Sequence, residues 1–129
     1  MEAKRLWAGE IEGETFSSPV LLDARLHTIN GKGVYRVLDA GTGRVLLEKQ
    51  TELDLIGDTS ANLYPSVTLA GKYLFIANDG GVTLLLEPGV EYKEVRRNRL
   101  DSGAGSSPVF WGKHLFLRGE RRLFCIGPR

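Results

Sequence analysis

Two histidines, one cysteine and a scatter of carboxylates are the residues of this 129-residue chain with chemistry to offer. His27 and His114 have no ligand-like spacing to each other or to Cys125, the sole cysteine. A metal site needs several donors converging on one point, and acid–base work needs a partner within hydrogen-bond reach. Asp23, Asp39, Asp79 and Glu87 fall in turns of different segments, so an oxygen cage of the calcium type is not expected from them. The serines of the SSPV-like stretches have no His/Asp partner and read as strand-start turn residues. Arg96, Arg97, Arg99, Arg118, Arg121 and Arg122 form a candidate basic patch, but no aromatic stripe is interleaved with them. A solvated strand face is expected there, not a nucleic-acid surface. No catalytic, cofactor-binding or metal-binding residue is assigned, and the chain is expected not to be an enzyme.

What must position these residues is a set of short strands. The stretch 17–50 divides into SPVLL, RLHTIN, VYRVLD and RVLLEK, joined by Asp23-Ala24, NGKG at 30–33 and DAGTG at 39–43. Asn and Gly supply positive-φ positions at low cost, and links this short join neighbouring antiparallel strands. The pattern returns at 64–100, where PSVTLAG matches SPVLLDA, KYLFIAND matches RLHTING and GVTLLLEPG matches VYRVLDAG. EYKEVRRNRL takes the place of the fourth strand. A third unit at 106–127 has SSPVFWG, KHLFLRG and RRLFCIG and no fourth strand of its own. Leu26, Leu74 and Leu115 are equivalent, at spacings of 48 and 41, as are Leu38, Leu86 and Ile126, at 48 and 40. Four strands in such a period mark an all-β fold of β-propeller blades, each a four-stranded antiparallel sheet, with about three blades per chain. RLWAGEI at 5–11 has the length of the fourth strand that the last blade lacks. Residues 51–62 link the first two units, pack down through Leu53, Leu55 and Ile56, and have weak support for helix.

Composition agrees. The hydrophobic share is 42% and the charged share 26%, as in folded globular domains. The net charge of +1 exerts no pull toward nucleic acid, though residues 1–64 carry −3 and residues 65–129 carry +4. No stretch reads as a membrane span, and the first residues, MEAKRLWAGEIEG, lack the apolar run of a signal peptide. Cys125 lies between apolar neighbours and is expected to be buried on a strand. His27 stands where Phe75 and Phe116 stand in the other units, so a packed or half-buried ring is expected.

These repeats resemble the pyrroloquinoline-quinone-type (PQQ-like) β-propeller family over essentially the whole chain. SSPV stands at 17–20 and 106–109. The family's A-x-D-x-x-T-G-x-x-x-W motif is seen at 37–47, with Asp39, Thr42 and Gly43 matching, Val37 in place of Ala and Leu47 in place of Trp. Its tail is seen at 4–7, with Trp7 in the Trp place. The second and third units lack the motif. The resemblance implies that Trp7, Asp39, Thr42 and Gly43 dock one blade on the next, with Trp7 buried between blades. It implies a non-catalytic, BamB-like scaffold or protein-interaction module without a cofactor. The alternative it implies is a fragment of a quinone-dependent alcohol or sugar dehydrogenase whose site lies on other blades. A periplasmic or secreted bacterial setting goes with the family. The partner is expected to be a second copy closing a ring, a dimer being favoured, or the remaining blades of a longer parent protein.

Overall fold

Tight turns fold the first unit into a meander. In the computed structural model, which describes residues 2–103 and 105–129, β1 (Val20–Leu22), β2 (Arg25–Ile29), β3 (Val34–Asp39) and β4 (Val45–Gln50) pair antiparallel in chain order. Asp23 and Ala24 both have positive φ, 48° and 58°, the geometry that matches the twist of a two-residue hairpin. The connection after β4 is neither helix nor open loop. It forms a small hairpin of β5 (Leu55–Ile56) and β6 (Thr59–Ser60), with Leu53 fully buried beneath it.

The second sheet consists of β7 (Thr68–Ala70), β8 (Tyr73–Ala77), β9 (Val82–Glu87) and β10 (Lys93–Arg99). The third has three strands, β11 (Val109–Trp111), β12 (His114–Arg118) and β13 (Leu123–Ile126). The expected equivalences hold as strand pairs: Leu26 opposes Leu38, Leu74 opposes Leu86 and Leu115 opposes Ile126. One alignment is off by a residue. Val20 pairs with His27 and Thr68 with Phe75, so Thr68, not Val67, holds the place of Val20. Val67 is itself buried, and a start that is apolar at neighbouring positions leaves the period-two pattern without a phase.

Side chains alternate across each sheet, and the two faces have different neighbours. Ile29, Tyr35 and Val37 leave the trailing face of the first sheet and meet Leu74, Ile76, Leu84 and Leu86 on the leading face of the second; this is the main core. Phe75, on the second sheet's trailing face, packs on Phe110 of the third, ring centroids 4.6 Å apart. The sheets therefore stack face on face in chain order.

Two expectations change. Residues 5–11 form no strand and join no sheet among the described residues; they run beside the first sheet, so within one chain they do not complete the last blade. A strand needs a hydrogen-bonded neighbour, and where this segment lies its lateral edge has none. Cys125 is on a strand as expected, but it is exposed. It lies on the trailing face of the third sheet, which no further sheet among the described residues covers.

Candidate functional site

The four residues singled out by the motif come together at the β3–β4 turn. Asp39 Oδ1 accepts hydrogen bonds from the amides of Gly41 and Thr42, at 3.0 and 2.8 Å, and from the Thr42 hydroxyl at 2.9 Å. The Thr42 hydroxyl and amide, with smaller help from Gly41 and Arg44, hold the Asp39 carboxyl below the usual range. This is turn chemistry, and it occupies the carboxylate. Gly43 has φ +74°, and a Cβ there would sit 2.5 Å from Trp7 Cε3. Only glycine lets the indole lie on this turn. Trp7 Nε1 donates to the Ala40 carbonyl at 3.0 Å. Trp7 is half-buried rather than enclosed: it lies on the turn of the first sheet, and its own segment joins no sheet among the described residues.

The remaining candidates do not converge on a reaction centre. His27 is 1% exposed and its Nδ1 is 2.6 Å from the Tyr35 hydroxyl. Burial, then Arg25, lowers the His27 pKa, and burial, then Tyr92, raises that of Tyr35. The tyrosine thus stays protonated and the imidazole neutral, the two sharing one buried hydrogen bond. His114 stacks on Trp111 on a different sheet. Asp79 is held by Asn62, through its amide and its side chain, both at 2.7 Å. Glu87 lies 3.8 Å from Lys93. Among the described residues, no three His, Cys, Asp or Glu are grouped to hold a metal ion. Tested as a quinone and calcium site, the donor set does not fit. Asp23 and Asp39 lie in two different turns of the first sheet, Asp79 lies in a turn of the second, and Glu87 ends β9 rather than standing in a turn. Asp39, Asp79 and Glu87 already have partners, and one cysteine cannot form a vicinal disulfide. The arginines divide as well. Arg97 is tied to Glu94 at 3.0 Å and to the Thr51 carbonyl at 2.8 Å, while Arg99, Arg121 and Arg122 line an open hollow with Asp101 and Glu120. The bond from Arg97 holds the Glu94 carboxyl below its usual range, and burial together with Glu94 pushes Tyr92 up to about 12.

What the structure does build is a repeated junction. The Ser18 amide donates to Ser66 Oγ at 3.0 Å, and the Ser66 amide to Ser107 Oγ at 2.9 Å, so a serine ladder runs from sheet to sheet. Asn78 Nδ2 donates to the Leu53 carbonyl at 2.8 Å, tying the second sheet to the chain that leaves β4. Asn30 does the same, at 2.9 Å, to the Glu12 carbonyl. Beside these, the Gly31 amide donates to the Glu14 carbonyl at 2.8 Å and the Asp79 amide to the Asn62 carbonyl at 2.9 Å. Residues 12–14 thus lie on the first sheet as the chain after β4 lies on the second. Sequence reading saw these serines and asparagines only as turn residues. Their recurrence at one place in successive units was the available signal.

The two end faces of the stack are apolar and open. On the trailing face of the third sheet, Val109 is 60%, Trp111 74% and Leu123 71% exposed. At the other end Leu21 is 64% exposed, and a cavity of about 200 Å³ remains between residues 7–15 and the first sheet, lined by Trp7, Ile11, Pro19, Leu26 and Leu38. Such faces mark association surfaces.

Four-stranded antiparallel meanders stacked face on face define the class: this is a β-propeller fold, of which the chain builds three blades, the third with three strands. No protein-family model and no curated protein matches the sequence. Among solved structures, the chain is similar to BamB from Moraxella catarrhalis, with a TM-score of 0.69 at 13% identity, over 95% of this chain and 36% of that one. It is also similar to the computationally designed Ika4 protein, with a TM-score of 0.58 at 7% identity, over 98% of this chain and 99% of that one. The chain therefore spans about a third of the length of BamB, and these likenesses concern the fold. Among the described residues, no helix is long and apolar enough to cross a membrane.

Proposed function

We propose that this chain is a non-catalytic β-propeller module of PQQ-like repeats whose work is to hold protein surfaces. The observation that carries the reading is the open trailing face of the third blade, where Val109, Trp111 and Leu123 stand exposed on a sheet face of the kind that elsewhere in the chain is covered by the next blade. On this reading Trp7, Asp39, Thr42 and Gly43 are docking residues: the Asp39–Thr42 bonds fix the turn, and Gly43 makes room for an indole supplied by the outer strand of the adjoining blade. The partner is protein, with self-association into a dimer the favoured form.

The test is a titration with PQQ and Ca²⁺, read by thermal melting and by dye-coupled oxidation of alcohols and aldoses. The expected result is no change in melting temperature and no dye reduction. Dye reduction that scales with added quinone would overturn the non-catalytic reading and favour the dehydrogenase alternative.

A further inference from the structure

We propose that the surface held by this module, on the reading just given, is a second copy of the chain, docked head to tail. The trailing face of the third blade in each copy meets the leading face of the first blade in the other, and two copies close a ring of six blades, within the range of about four to eight that propellers adopt.

The two ends of the stack carry complementary halves of the junction already seen between blades. The serine ladder runs from Ser18 to Ser66 to Ser107; continued by one step, the Ser107 amide donates to Ser18 Oγ of the second copy. Phe75 packs on Phe110 at the last junction within the chain. Phe116 holds the place of Phe75, and Leu21 that of Phe110, as their strand pairs show. The next junction therefore sets Phe116 on the exposed Leu21 of the second copy, and covers Trp111, Val109 and Cys125.

The outer strand follows from the same repetition. The Asn30 bond places Glu12, which follows residues 5–11, on the first blade as the Asn78 bond places Leu53, which follows β4, on the second. Residues 5–11 thus already occupy the position of a preceding blade's fourth strand, docked on their own first blade through Trp7 and Gly43, but without a sheet beside them. β13 is the last strand of a three-stranded sheet and, among the described residues, has no such neighbour. In the first blade Val37 opposes Leu47 and Val34 opposes Gln50. Carried over, that register sets Cys125 opposite Trp7, Leu123 opposite Gly9 and Arg122 opposite Glu10 of the second copy. The last pair is of opposite charge, and the ladder leaves no open edge.

The experiment is to measure molar mass in solution across a concentration series, with two variants alongside. Twice the 14.2 kDa chain mass is expected for the wild type. Leu21→Glu changes a residue exposed in the single chain, so it should keep the β-sheet circular dichroism and run as a monomer. In a Cys125→Ser background, the pair Gly9→Cys and Leu123→Cys should give a disulfide-linked dimer on mild oxidation, which tests the register even if the Leu21 variant folds poorly. A wild-type monomer at every concentration, a trimer or larger species, a Leu21→Glu dimer, or the absence of the cross-link would each overturn the proposal.

Discussion

At the scale of single residues, His27 shows how one position departs from its repeat. Phe75 and Phe116 hold the equivalent place, yet here a buried imidazole shares a hydrogen bond with the Tyr35 hydroxyl. Its folded pKa is depressed, first by burial and then by Arg25. An unfolded histidine titrates near about 6.5, so the unfolded chain binds more protons as pH falls below that value. The stabilising contribution is full above that pH and is lost as pH falls toward the folded value. Urea unfolding of wild type and His27→Phe between pH 7.5 and 5.5 checks this. The variant should be weaker by about 1–3 kcal/mol at pH 7.5, because the buried Tyr35 hydroxyl loses its partner. Its stability should then fall less on acidification than that of the wild type, whereas parallel pH dependences would contradict the account.

At the scale of elements, what was local in sequence was legible. Asp23-Ala24, the NGKG turn and the DAGTG turn each state their own geometry, and the apolar alternation between them places Leu26 opposite Leu38 without further information. Misreadings arose where neighbours decide. The phase of β7 was hidden by the buried Val67. Residues 5–11 read as a strand, yet a strand is completed by the sheet beside it. Cys125 read as core because its segment is apolar, while its exposure depends on whether another blade covers it. Of the candidate site, the turn cluster was visible through Asp39, Thr42 and Gly43, but the serine ladder and the asparagine ties were not, since they join residues far apart in sequence through main-chain groups. These ties have measurable weight. Asn78 is 2% exposed and bonds the Leu53 carbonyl and the amides of Gly80 and Val82; Asn78→Ala should cost about 1–3 kcal/mol in denaturant unfolding. Asn30→Ala removes the matching bonds to Glu12, Lys32 and Val34, so it should cost a similar amount and free residues 7–14 to protease. A loss near zero for Asn30→Ala would show that the N-terminal segment is not docked as a blade's outer strand is.

At the scale of the whole molecule, the stack is uneven. The junction between the first two blades holds most of the fully buried side chains, while the third blade contributes Leu117 and little else to the buried set. A sheet with one covered face and one open apolar face opens more readily than the sheets at its centre, and amide exchange reports such local opening. The central claim is that the two ends of this stack are halves of one junction. Amide hydrogen exchange, followed residue by residue at dilute and at concentrated protein, tests it most directly. The account predicts that the outward amides of β13 and those of residues 5–11 exchange slowly at high concentration and faster on dilution, in step with each other. Rapid exchange of both segments at every concentration would contradict it.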